Sequence, residues 1–213
     1  MKKFYNFFLI LILLNISYNI EVGETISLPE PEKEGGMPLN EALNKRQSSR
    51  DFDSSKDISL EMLSQALWSC YGINRPNDYK TTPSAVAWYP LLVFVFLKDG
   101  IYRYIAHDHA IIKLLDGDYR AMAGTQEYVA NASVNFVFFA DYYKKSSMDD
   151  DDEHKLRCIY LDTGHATMAL YLFASAYNMK GVARAMVDSD AILDLLKMNK
   201  DDYKFTLSFS LGY

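Results

Sequence analysis

The sequence predicts a layered α+β domain, and three observations carry that expectation. The stretches "PLLVFVFLKDG" (90–100) and "SVNFVFFAD" (133–141) are unbroken apolar runs rich in β-branched and aromatic residues, the pattern of interior strands. "DISLEMLSQALWSCYG" (57–72) places Leu60, Leu63, Leu67 and Trp68 near helical spacing and stops at Gly72, while "LDTGHATMALYLFASAYNM" (161–179) is a helix apolar almost all round. Helical and strand patterns alternate without internal repeats through 213 residues, 49% of them hydrophobic, which is enough for one domain with a sizeable core.

In chain order, Lys2 and Lys3 precede "FFLILILL" (7–14), the outline of a secretory signal that we assign to residues 1–20. The run is short of the ~20 apolar residues of a membrane span, so export with cleavage, to the periplasm or the exterior, is expected rather than a stable anchor. Residues 21–37, with "GETISLPEPEKEGGMP", read as a polar leader, and the folded domain is expected to occupy 38–213. A short helix follows from Pro38 to about Gln47, then the helix at 57–72. The strand at 90–100 turns at Asp99-Gly100 into "IYRYI", residues 107–130 read as helical, and the strand at 133–141 precedes the long helix. "GVARAMV" and "FTLSFSLGY" supply two further strands around a helix at about 188–197.

Twenty-two basic residues against 28 acidic ones leave a net charge of −6, and the run "DDDDE" (149–153) repels polyanions, so nucleic acid is excluded as a partner. The run lacks the spaced ligands of a calcium loop and reads as a solvated loop. His107, Asp108 and His109 diverge in direction and lack a fourth ligand, so no metal site is expected. His165 reads as a packing or capping residue. Cys70 and Cys158 read as buried thiols, their pairing in an oxidising compartment left open.

Against this acidic background "KRQSSRDF" (45–52) concentrates donors. In an extended segment Arg46, Ser48 and Arg50 share one face and present two guanidinium forks and a hydroxyl, a set suited to a phosphate. The competing reading is a solvated basic turn paired with Asp51 or Asp53. Two more stretches bear on the choice: "KTTPSAVAWYP" (80–90), with Pro83, Ser84 and Ala85 ahead of the buried strand, and "DTGHATMALYLFASAYNMKGVARAMVD" (162–188), a small-residue helix running into a strand.

The order and spacing of the three stretches resemble the nitroreductase-like family of FMN-dependent oxidoreductases, over roughly residues 38–213. The resemblance implies a layered fold with a central mixed or antiparallel sheet flanked by helices, and FMN as cofactor. It implies that Arg46, Ser48 and Arg50 hold the FMN phosphate and ribityl chain, and that Pro83, Ser84 and Ala85 run against the isoalloxazine ring. It also implies that the strand start at Ala183, Arg184 and Ala185, reaching to Met186, offers a backbone amide to flavin N5. The side chains at Ala183, Ala185 and Met186, and at Met168, Ala169, Asn178 and Lys180, depart from the family pattern and mark a divergent branch.

The resemblance further implies a homodimer with flavin at the subunit interface and ping-pong exchange of hydride through flavin N5. Electrons would pass from NAD(P)H or another reductant to a nitroaromatic, quinone or similar acceptor, the flavin carrying the chemistry and no side chain being assigned a catalytic role. The alternative is a flavin-binding or structural module that has lost turnover.

Overall fold

The computed structural model describes residues 23–144 and 152–213, so the expected signal at 1–20 and Asp149 to Asp151 of the acidic run lie outside the described residues. In chain order the elements are β1 (Thr25–Ser27), α1 (Leu39–Lys45), α2 (Leu60–Tyr71), β2 (Ile73–Arg75), β3 (Tyr79–Lys80), β4 (Leu91–Leu97), β5 (Gly100–Ile105), β6 (Ala110–Asp116), β7 (Val134–Asp141), α3 (Asp152–Ala176), β8 (Lys180–Arg184), α4 (Ser189–Leu195) and β9 (Tyr203–Gly212). Seven strands form one sheet in the order β1-β6-β5-β4-β7-β9-β8, antiparallel at every pairing, with β2 and β3 as a separate ribbon. The fold is therefore α+β, as the sequence predicts, with an antiparallel sheet.

The two apolar runs are the centre of that sheet. β4 and β7 pair over Leu91↔Ala140 to Phe96↔Asn135, and both are buried on both faces, which is why they read as continuous rather than alternating hydrophobics. On one face Val93, Val95, Phe136, Phe138 and Phe209 pack under α2 and α3. On the other, Phe94, Phe96, Val137 and Phe139 pack under α4 and the short helical turns at Arg120–Ala123 and Glu127–Asn131. The buried side of α3 runs through Ile159, Ala166, Leu170, Phe173 and Ala174, while Tyr160, Leu161 and Met168 are exposed.

Helix ends follow the expected chemistry. The Ser59 hydroxyl caps α2 by accepting from the Met62 amide, and Asn178, in left-handed backbone at φ 53°, ends the turn after α3. Gly72 and Gly100 are required for approach rather than for φ. A Cβ at Gly72 would lie 2.6 Å from Trp68 Cα, and one at Gly100 2.5 Å from the Leu115 carbonyl oxygen on β6.

Two readings are corrected. Residues 107–130 are not a helix: Ala110–Asp116 is β6, paired with β5, and only the two short turns follow. "AIIKLLD" satisfies helical spacing, but the hairpin partner was available next to it, and pairing decided. The polar leader also belongs to the fold, since Thr25–Ser27 pair with Ala110–Ile112 as an edge strand. Beyond β1 this strap is latched to α2. Gln65 clips the Glu32 backbone at both its amide (2.8 Å) and its carbonyl (3.0 Å), and the Ser64 hydroxyl donates to the Pro29 carbonyl at 2.5 Å. His109 Nε2 lies 3.1 Å from the same carbonyl, which can only accept, so Nε2 carries the proton and Nδ1 accepts from the Tyr104 hydroxyl at 2.9 Å.

Burial lowers the His109 pKa below the ordinary histidine value of 6.5. A histidine whose folded value lies under its unfolded one is protonated first in the unfolded chain. The latch's contribution is therefore complete above about pH 6.5 and is lost as pH falls through that value. Thermal unfolding should show a steeper fall in midpoint between pH 7.5 and 5.5 for the wild type than for His109→Gln, by a few degrees. Parallel curves would mean that His109 does not couple the strap to pH.

Candidate functional site

Residues 46–53 leave α1 as an extended segment laid along the sheet edge. The Ser49 amide donates to the Gly181 carbonyl of β8 at 3.0 Å, and the Asp53 amide to the Tyr213 carbonyl at 2.8 Å. Extended backbone sends alternate side chains to one side. Phe52, buried against Ala132 and Val182, fixes that side. Arg46 and Ser48 then meet Tyr171 of α3, the guanidinium 5.3 Å from the ring centroid and the hydroxyl 3.0 Å from the phenol oxygen. Arg50 lies 6.0 Å from the Tyr128 ring.

The basic-turn reading requires Asp51 or Asp53 to neutralise these arginines, and neither does. Asp51 pairs with Lys180 at 3.6 Å and Asp53 with Lys56 at 3.4 Å. Among the described residues no carboxylate lies within 4 Å of Arg46 or Arg50. Beside Arg46, between the ends of α1 and α3, opens a cavity of about 610 Å³ lined by Lys45, Arg46, Gln47, Ser49, Asn178 and Lys180, among others. Its lining contains three cations and no carboxylate.

β8 forms the adjoining wall. The Ala183 amide points outward and donates to the Tyr171 oxygen at 2.9 Å, so Tyr171 ties Ser48 to the strand. Two residues on, the Ala185 amide has no protein acceptor among the described residues. Arg184 faces the other side of the sheet and is buried. Its guanidinium donates to the Ala123 carbonyl at 3.0 Å, to Ser208 Oγ at 2.9 Å and to Ser210 Oγ, leaving Nε without an acceptor. It also stands 5.6 Å from the Tyr128 ring, so Arg50 and Arg184 share that ring. Burial lowers its pKa, and the positive charge of Arg50 lowers it further.

Pro83, Ser84 and Ala85 are elsewhere. Ser84 Oγ donates to Asp162 Oδ2 at 2.5 Å, the Ala85 amide donates to Oδ1 at 3.2 Å, and Ser84 Oγ accepts from the Tyr89 amide at 2.8 Å. Asp162 is only 4% exposed, and its burial raises its pKa, opposed by the two hydrogen bonds. These contacts hold Val86, Ala87 and Tyr89 in left-handed backbone (φ 46°, 55° and 49°), with Pro83 exposed. Asp162 and Tyr171 are nine residues apart, about two and a half helical turns, and so lie on opposite flanks of α3. One chain gathers Arg46, Ser48, Arg50 and Ala183–Ala185, and leaves Pro83–Ala85 on the far flank.

Sequence reasoning missed Tyr171, Tyr128 and Asp162. Asp162 alone carried a signal, as a carboxylate inside an apolar helix. The other expected positions are accounted for: Cys70 and Cys158 are buried free thiols, His107 lies 3.4 Å from Asp78, and His109 serves the strap.

Comparison with known proteins agrees with this architecture. The model of the nitroreductase family matches residues 43–213. A protein of Methanocaldococcus jannaschii designated a nitroreductase is 29% identical over 189 residues, covering 84% of this chain and 93% of the relative. A structure from Ralstonia eutropha, likewise designated a nitroreductase, superposes with a TM-score of 0.81 at 29% identity over 88% of each chain. One from Desulfovibrio desulfuricans, solved in complex with FMN, superposes with a TM-score of 0.58 at 18% identity, over 84% of this chain and 87% of that one. With its seven-stranded antiparallel sheet, its arginine-bearing edge segment and a match across four-fifths of its length, the chain belongs to the nitroreductase family.

Proposed function

We propose that the protein is an FMN-dependent oxidoreductase working as a homodimer, exported by its N-terminal signal, that passes electrons from NAD(P)H or another reductant to a nitroaromatic, quinone or similar acceptor by a ping-pong mechanism. One observation carries the cofactor reading: in a chain with 28 acidic residues, Arg46 and Arg50 stand at alternate positions around Ser48 in an extended segment, without a carboxylate partner among the described residues, and Arg46 lines a cation-rich cavity. A phosphate is the counter-charge this donor set fits, and the FMN-bound relative supports the choice.

Arg46 and Arg50 would grip the phosphate, with Ser48, held by Tyr171, orienting it. The Ala185 amide, just past β8 and without a protein acceptor among the described residues, would hydrogen-bond the ring system. FMN supplies hydride exchange at N5. The exposed face of α3 between the Tyr171 and Asp162 flanks, with Leu161 and Met168 uncovered and open space at Gly164, is where a second copy would pack. A two-fold axis along the helix brings the partner's Asp162 flank, and with it the partner's Pro83–Ala85 loop, to the Tyr171 flank of the first chain. The site would then be completed in the dimer.

Reconstitution tests the whole reading. The protein loaded with FMN should be yellow, bleach with a reductant and recover with a quinone. Yellow protein inert to every donor would make it a binding module, and failure to load FMN would sink both readings. At about 1.5–3 kcal/mol for each charge-assisted bond, Arg46→Ala or Arg50→Ala should weaken FMN binding by roughly ten- to over a hundredfold, with Ser48→Ala nearer ~1 kcal/mol. Riboflavin, lacking the phosphate, should hardly notice these changes. Equal losses for both flavins would mean general damage rather than a lost phosphate grip. For assembly, sedimentation should give a dimer, and Leu161→Glu should give a folded monomer whose FMN affinity drops by at least about tenfold. A monomeric wild type that still holds FMN would contradict the shared site.

A further inference from the structure

Away from the arginines, two lysines flank one residue of the loop that carries Pro83–Ala85. Lys80 Nζ stands 4.6 Å from the Tyr71 ring centroid and 5.6 Å from that of Tyr89. Lys144 Nζ donates to the Tyr89 carbonyl at 2.6 Å, and the Tyr89 amide is in turn bonded to Ser84. No carboxylate lies within 4 Å of either ammonium among the described residues; of the acids nearby, Asp78 lies beside His107, Asp162 accepts from Ser84 and Ala85, and Asp141 acts on Lys144 only from beyond that distance. Burial raises the Cys70 thiol and the Tyr71 phenol beside Lys80, so neither supplies a negative charge at neutral pH.

Packing alone does not explain the pair. A single lysine over Tyr71 and Tyr89 makes the cation–π contact, worth about 0.5–2 kcal/mol. A second ammonium nearby repels it. Burial first and this repulsion second bring Lys80 down to about 8 against the weaker opposing charge of Asp78, so it is still mostly protonated at pH 7 with no carboxylate in contact. Partial burial lowers Lys144 as well, opposed by the charge of Asp141. An oxyanion between the two cancels the repulsion and supplies the missing counter-charge.

We propose that Lys80 and Lys144 form a subsite for an oxyanionic group, a carboxylate or phosphate, on the molecule that exchanges electrons beside the Pro83–Ala85 loop. The substrate is then an anion with a flat reducible part, held by its charged end. The assignment rests on the flavin oxidoreductase reading for the word substrate, but the anion site is measurable without it.

The test compares charged and neutral ligands of one shape. With FMN-loaded protein, the ratio of KM for para-nitrobenzoate to KM for para-nitrotoluene should rise by about tenfold in Lys80→Met, and less in Lys80→Arg, which keeps the charge. An unchanged ratio with both compounds turned over would overturn the subsite and leave the oxidoreductase standing. Calorimetric titration with benzoate, using benzamide as the neutral control, needs no turnover. Benzoate binding that is stronger than benzamide binding and is lost in Lys80→Met and in Lys144→Met supports the subsite even if no acceptor is reduced. Equal binding of the two ligands, or no effect of either substitution, refutes it. Replacing benzoate by phenyl phosphate tells which oxyanion is preferred.

Discussion

A sheet that ends in β8 exposes a row of backbone donors and acceptors, and the protein seals part of it with residues 46–53 through Ser49 to Gly181 and Asp53 to Tyr213. The other features of the candidate site depend on this contact. Because the seal is extended, Arg46, Ser48, Arg50 and Phe52 emerge on one side, and the burial of Phe52 fixes which side that is. A shift of one residue would turn the guanidinium groups away. Just past β8, the Ala185 amide is left without a protein acceptor among the described residues.

Charge is distributed to match. Several surface lysines are paired, as Lys45 is with Glu41 and Lys200 with Asp194. Among the described residues the arginines at the edge are not, and Arg184 beneath them is buried with three acceptors but no counter-ion. Its place in a network running through Ser210 to Asn135, whose amide group reaches the Arg120 and Val129 carbonyls, ties the turns at 120–131 to the sheet. Those turns carry Tyr128, the ring shared by Arg50 and Arg184. Deleting a partner from such a network strands buried polar groups, at about 1–3 kcal/mol each. The same bonds that fix Tyr128 thus keep a positive potential beneath the edge.

α3 organises the second half of the site by separating it. One flank holds Tyr171 and the arginines, and the other holds Asp162, the Ser84 loop and the lysine pair. Asp162 is buried and would be costly unsatisfied, so its bonds from Ser84 and Ala85 are strongly favoured, and they hold the following residues in left-handed backbone that Val86 would otherwise avoid. Between the flanks the helix shows apolar side chains, Leu161 and Met168 among them, to solvent.

The fold class, the two central strands, α2 with its Gly72 stop and the extended donor-bearing segment at 46–50 were all legible in the sequence, because each depends on local period or on residues within a few positions. The helix assigned to 107–130 failed because "AIIKLLD" is compatible with either period and only the neighbouring strand β5 decided. The strap at 25–34 escaped notice for a similar reason: its anchors, Ser64, Gln65 and His109, are distant in sequence. At the site the donors were readable, while Tyr171, Tyr128, Asp162 and the pairing of Lys80 with Lys144 were not. What the sequence by itself determined was which residues carry charge and apolar surface along each short segment. Which arginines go without a partner, and on which flank of α3 each loop lies, was decided by tertiary structure, since charge compensation depends on distances between segments that no local pattern encodes.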